Sequence, residues 1–270
     1  MENNLVLTTA VGYNFKQIEL FIKSLRKHYS GSIYIIIDEN DSSIEKQVKE
    51  HNCNVIKTSI NRKDIQFKRY EIYSNFLNKN EYNKIFLCDS RDLYFQSNPF
   101  KLNFNKPLNF FLEDFKIKDC PYNSNWIIKT YGEKEYYKIS DKTIICSGTV
   151  LGDQKKILEY VNLMVKNISK FRYKRKLKYV LTFRPDPEGR GCDQGHANYI
   201  AHNKKVSEFK FYNNFDGPVA TVFYLKKINF DKGSKLINST GNIYSVVHQY
   251  DKRWKEFSKH FDKIKKDYIS

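Results

Sequence analysis

The amino-acid sequence predicts an α/β protein built on a mostly parallel central sheet with helices on both faces. Between residues 4 and 89, β-branched apolar runs alternate with segments of helical period. Runs such as "SIYIIID" (32–38) are apolar without alternation, as a strand covered on both faces should be. The segments between them are long enough to carry the helical crossovers that parallel strands require.

Each element has its own signal. "NLVLTTA" (4–10) is a β-branched run that ends near Gly12. Residues 14–29 place Phe15, Ile18, Phe21, Ile22 and Leu25 on one helix face. "SIYIIID" is the second strand, "SSIEKQVKEH" (42–51) a polar helix and "CNVIKTS" (53–59) the third strand. Residues 64–79 form a helix carrying Arg69, and "NKIFLCD" (83–89) is the fourth strand. The second half is less regular. "PLNFFLED" (107–114) reads as a strand ending in acids, and residues 115–142 are aromatic and polar without a clear period. "KTIICSGTVLG" (142–152) is a strand interrupted by Ser147 and Gly148. Residues 153–170 form a helix with Ile157, Leu158, Val161, Met164, Val165 and Ile168 inside. The basic stretch "FRYKRKLKYVLTFR" (171–184) follows, then a turn (185–192) that runs into a short helix at "DQGHANYIAH". Residues 217–225 and 242–251 read as strands, and Trp254, Phe257, Phe261 and Ile264 mark a closing amphipathic helix. No repeat and no Gly-, Ser- or Pro-rich linker divides the chain, so one domain over 1–270 is expected, with halves at 1–100 and 101–270.

Composition narrows the classes. The 270 residues are 40% hydrophobic and 16% aromatic, enough for a sizeable core. The net charge of +17 favours anionic partners, although a chain so rich in Asn, Lys, Ile and Tyr also accumulates lysine without one. The five cysteines (53, 88, 120, 146 and 192) are odd in number and form no C-x-x-C pair, which is neither a disulfide framework nor a zinc site. Reduced thiols in a cytoplasmic or cytosol-like compartment are the expectation. No apolar run approaches the ~18 residues of a membrane span, and the N-terminus lacks a basic n-region. A soluble protein, at most peripheral to a membrane, is expected.

The stretch "IFLCDSRDLYFQSNPF" (85–100) poses the functional question, because a buried strand runs into Asp89 and Asp92 around Arg91. Ionised side chains are costly to dehydrate unless paired or bound to a cation. In a parallel α/β sheet ligands bind at the carboxyl ends of the strands, where this motif falls. Two carboxylates three residues apart can hold a hard divalent cation, which in turn grips a diphosphate. The structural rival is internal pairing of Arg91 with Asp89 or Asp92.

Four motifs follow one another along the chain: "DSRDLYFQSNPF", "CSGTVLG", "GCDQGHANYI" and "VVHQYD". Their order and spacing resemble the metal-dependent nucleotide-sugar glycosyltransferases of the GT-A fold, most of all the glycogenin-like and lipopolysaccharide galactosyltransferase-like group. The resemblance spans nearly the whole chain. It departs from the family's D-x-D acids, which here are D-x-x-D with Arg91 in place of the second acid.

The resemblance implies a nucleotide-binding half at 1–100, an acceptor half at 101–270, and transfer of a hexose from a UDP-sugar to a glycan, protein or lipid acceptor with Mn²⁺ or Mg²⁺. Asp89, Asp92 and His248 would be the metal ligands. The loop from Thr8 to Tyr13 would cradle the nucleoside, including Thr8, Thr9 and Ala10, with Tyr13 stacking on the base. Arg69 would face the sugar or phosphate. Ser147 and Gly148 would let the backbone approach the donor. Asp193 and Gln194 would open a helix near the reacting sugar.

Each residue also has a plain structural role open to it: Tyr13 at the sheet edge, His248 on a carbonyl, Asp193 as an N-cap, Arg69 paired with Asp89. Glu113 and Asp114 would shape the acceptor pocket or be solvated. The 171–184 stretch would be a solvated face, a lid, or a contact for an anionic acceptor or membrane surface. Three other classes remain: a nucleotidyltransferase, which "TTAVGYN" disfavours for want of a Gly-rich basic loop; a sugar-binding module without activity; and a nucleic-acid binder, which accounts for the charge but not for the acids.

Overall fold

A computed structural model describes residues 3–102, 104–182 and 191–269, excepting the side chains of 173–176, 178, 179 and 182. Phe183 and Arg184 of the basic stretch and residues 185–190 of the expected turn lie outside the described residues.

The first four strands are β1 (Leu5–Thr9), β2 (Ser32–Asp38), β3 (Asn54–Thr58) and β4 (Lys84–Asp89), joined by α1 (Phe15–His28), α2 (Ser42–Glu50) and α3 (Ile65–Leu77). The α1 boundary is written in the sequence: Asn14 accepts from the Gln17 backbone while the Gln17 side chain accepts from the Asn14 N–H. Asp41 caps α2 by accepting from the Ile44 N–H at 3.0 Å.

The main sheet also includes β6 (Leu108–Lys116), β7 (Thr143–Asp153) and β8 (Phe209–Tyr212), in the order β3-β2-β1-β4-β7-β6-β8. Among the described residues four of its six pairings are parallel and two, those of β7 with β4 and β6, are antiparallel. The expected mostly parallel sheet is present, and strands from both halves of the chain share it.

Alternation along β1 divides the core. Leu5 and Leu7 face the cluster formed with α3, α6 (Gln154–Thr182) and α7 (Asp193–His202), whereas Val6 faces α1 and α2. Helices therefore cover both faces. A smaller three-stranded sheet joins β5 (Leu93–Phe95), β12 (Val246–His248) and β9 (Val219–Thr221). The closing helix α8 (Trp254–Tyr268) buries Phe257 and Ile264.

Several elements differ from expectation. Residues 115–142 hold α4 (Pro121–Tyr131) and α5 (Glu133–Ile139), which Gly132 separates at φ +88°. These helices are too short and too exposed to show a clean period. The basic stretch continues α6 as far as Thr182. The expected strands at 217–225 and 242–251 shrink to three residues each, and Gln249, at φ +63°, ends the second. The strands β5, β8, β10 (Asn229–Phe230) and β11 (Leu236–Ile237) are too short to be seen in the sequence. Trp254 remains half exposed at the first position of α8, edge-on to Phe261. Among the described residues no helix is long and apolar enough to cross a membrane. The five cysteines are free and buried.

Candidate metal centre and cleft

The acids of the opening motif sit where the topology places ligands. Asp89 ends β4 beside Thr9, the last residue of β1. The chain then turns through Ser90, whose hydroxyl donates to the Thr9 carbonyl at 2.7 Å. Asp92 follows and leads into β5. The antiparallel register of β5 and β12 pairs Leu93 with His248, which brings the end of the chain to the acids.

Asp89, Asp92 and His248 each offer one ligand atom, and these atoms lie within 4.8 Å of one another. The Nε2 of His248 is 3.5 Å from Asp89 Oδ2 and 3.5 Å from Asp92 Oδ1. It is buried and has no hydrogen-bond partner. The other ring nitrogen, Nδ1, meets the Cys146 sulfur at 3.3 Å. Burial opposes charge on His248, yet Cys146, Asp92 and Asp89 together raise its pKa well above 6.5. Two carboxylates 3.5 Å from Nε2 favour a positive charge at this point, a proton or a cation.

Gly148 makes this convergence possible. A Cβ there would lie 2.4 Å from Asp89 Oδ2 and 2.6 Å from His248 Cε1. Gly148 therefore leaves the room in which Asp89 and His248 approach each other.

The remaining residues form a cleft of about 650 Å³. Thr9, Tyr13, Arg69, Asp89, Asp92, Ser147, Asp193 and Gln194 all line it, so most of the expected constellation is brought together. Thr8 and Ala10 are not brought there. Both are buried, Thr8 within β1 and Ala10 just after it.

Arg69 links the acids. Its Nη1 donates to Asp89 at 2.8 Å and its Nη2 to Asp193 at 2.6 Å. Asp193 does not cap α7; it occupies the first helical position and also accepts from the Tyr70 hydroxyl at 3.2 Å. Burial raises the Asp193 pKa against the pull of Arg69. For Asp89 burial is outweighed, and Arg69 and His248 hold its carboxyl below the usual range. Arg91 pairs with Asp251 at 2.8 Å and meets Asp92 at 3.5 Å, so the structural rival for that residue is realised in part. Glu113 is buried, accepts from the Gln194 amide at 3.2 Å, and is pushed by burial to a pKa of about 7.

Two cleft residues had no sequence signal of their own. Arg62 and Lys63 line the cleft from the loop before α3. The Arg62 guanidinium lies over the Tyr13 ring at 4.6 Å, and its side chain packs against Gly12. Both cations follow a strand and precede a helix, the position from which loops reach a cleft, but a lysine-rich chain gives them no contrast. His196 is buried and bonded to the Tyr131 hydroxyl, and the half-buried His202 is bonded to the Thr143 carbonyl. Burial lowers the pKa of each to about 4.

No family model and no curated protein matches the chain. The chemistry of the cleft must be judged from its own residues. Two aspartates and one imidazole can hold a divalent cation with mixed oxygen and nitrogen ligands. Arg62, Lys63 and Arg91 surround this acid cluster with positive charge suited to an anionic ligand.

Proposed function

We propose that this chain is a GT-A type, metal-dependent glycosyltransferase that moves a hexose from a UDP-sugar to a glycan, protein or lipid acceptor. The convergence of Asp89, Asp92 and the buried His248, where the two acids line a cleft shared with Arg62, Lys63 and Arg91, carries the reading. The donor set fits Mn²⁺ or Mg²⁺, because the buried, unpartnered His248 Nε2 faces both carboxylates. When bound, the cation neutralises the charge of the leaving diphosphate without a proton donor.

The other roles belong to the chain. Arg69 fixes the Asp89 and Asp193 carboxylates through its two nitrogens, which orients one acid toward the cation and the other toward the sugar. Arg62, Lys63 and Arg91 attract and orient the phosphates. The Arg62 guanidinium lies over the Tyr13 ring at 4.6 Å, and a base stacking on Tyr13 would take the place of Arg62 there. Gln194, whose side-chain amide donates to Glu113, lines the cleft next to Asp193 and belongs to the sugar side. The Ser90 hydroxyl ties the acid turn to β1 and keeps these parts in register.

The test is a panel of nucleotide sugars incubated with Mn²⁺, reading nucleoside diphosphate release. UDP-glucose or UDP-galactose should turn over, and His248→Ala should lose Mn²⁺ affinity and turnover while remaining folded. Full turnover in excess chelator, or silence across the whole panel, would refute the reading. Calorimetry in which GDP binds with Mn²⁺ and UDP does not would refute the choice of nucleotide.

A further inference from the structure

Helix α6 has 29 residues, and its two ends lie in different surroundings. Ile157, Val161, Met164 and Ile168 are buried in the core shared with α3 and α7. Phe171 is the last of these, and Arg172 closes the packed portion with an ion pair to Asp64 at 2.8 Å. Beyond that point Leu177, Val180 and Leu181 are 48%, 56% and 72% exposed. Their i, i+3, i+4 spacing puts them on one helix face. A helix face turned to water is ordinarily polar, so three adjacent aliphatics there call for a cover.

The charge of the segment identifies the cover. No acidic residue occurs between Glu159 and Asp186, while eight lysines and arginines do, Lys174, Arg175, Lys176 and Lys178 among them. Two copies of so basic a segment would repel, which argues against self-association. A nucleic-acid backbone would use the cations but leave the aliphatic stripe in water. A lipid surface bearing anionic headgroups uses both. The location is suitable: Asp64, the anchor of Arg172, stands between Lys63 and Ile65, both of which line the cleft. The helix therefore leaves the body beside the cleft.

We propose that residues 173–182 are an interfacial helix end that seats Leu177, Val180 and Leu181 in an anionic lipid surface. It rests on features separate from the metal centre, and its test requires neither donor nor cation. Sedimentation with phosphatidylcholine vesicles, with and without phosphatidylglycerol, is the measurement. The wild-type chain should sediment only with the anionic vesicles, and less so as salt is raised. The triple variant L177S/V180S/L181S should lose on the order of tenfold or more in partitioning. Exchanging Lys174, Arg175, Lys176 and Lys178 for glutamine should lose at least as much. Circular dichroism should be unchanged by the serines, since these positions lie outside the core; Leu181→Ser alone serves if the triple variant does not fold. Absence of binding to anionic vesicles at low salt overturns the proposal. So does binding that the serine variants leave intact, or an RNA or DNA duplex that competes the chain off vesicles and itself loses affinity in the serine variants.

Discussion

Gly148→Ala adds one methyl group and should disable the metal centre. The new Cβ would stand 2.4 Å from Asp89 Oδ2, 2.9 Å from Asp89 Cγ and 2.6 Å from His248 Cε1. Each ligand is therefore about 1 Å short of ordinary contact, where a preorganised site tolerates ~0.5 Å. Neither can retreat at no cost. The Asp89 carboxylate is anchored by Arg69 at 2.8 Å, and the His248 ring is enclosed between Cys146 and the acids in a strand end that is almost fully buried. The alanine must displace two of the three ligands together or bend β7. We expect a loss of about 10- to 100-fold in Mn²⁺ affinity, the scale seen when the support of metal ligands is disturbed. Overpacking should also cost about 1–3 kcal/mol of stability. Titration calorimetry with Mn²⁺ and thermal unfolding without it separate the two effects. A folded Gly148→Ala protein that binds Mn²⁺ as wild type would refute the claim that Asp89 and His248 act on one ion through this gap.

Two pH effects follow from the same region. In the cation-free protein the raised pKa of His248 contributes stability that is complete below pH 6.5 and lost as pH rises through the folded value. The melting temperature without Mn²⁺ should therefore fall on the alkaline side while Mn²⁺ affinity rises, and the loaded protein should lack that fall; parallel melting curves with and without the ion would contradict this. Glu113 titrates at about 7 instead of 4.5, so ionising it in place should lower stability by up to about 3 kcal/mol as pH rises through that interval. Glu113→Gln should be more stable than wild type at alkaline pH and indistinguishable from it below pH 4.5, which urea unfolding at the two extremes would check.

The first half of the fold was legible because β1, β2 and β4 are buried on both faces and α1 and α2 are amphipathic. "SIYIIID" and the Phe15–Leu25 face leave little freedom of assignment. In the second half β6, β7 and the start of α6 were legible too, whereas β8, β9 and β12, of three or four residues, depend on partners distant in sequence. Val246–His248 is a strand only because β5 and β9 flank it. The site divides in the same way. Asp89, Asp92 and His248 were visible as motifs, and their meeting follows from one antiparallel register. Thr8 and Ala10 do not line the cleft because both side chains are turned into the protein, whereas Thr9 between them lines it, an alternation that a loop reading does not resolve. Arg62 and Lys63 escaped notice because their importance lies in position and not in type.

The pairing of Leu93 with His248 also affects how the chain is made. Asp89 and Asp92 leave the ribosome before the third proposed ligand, which comes from the last strand of the described structure, 159 residues after Asp89. Domains tend to fold from the N-terminus as synthesis proceeds. Here the sheet of β1 to β4 can form long before an ion at the proposed centre would have its full set of ligands. An ion held at about a hundred times its Kd adds about 2.7 kcal/mol to the stability of whatever binds it. That increment would reach only chains synthesised through His248 and docked against β5. A prematurely terminated product would keep its acids but lose the stabilising ion, and quality-control proteases would find it the easier substrate.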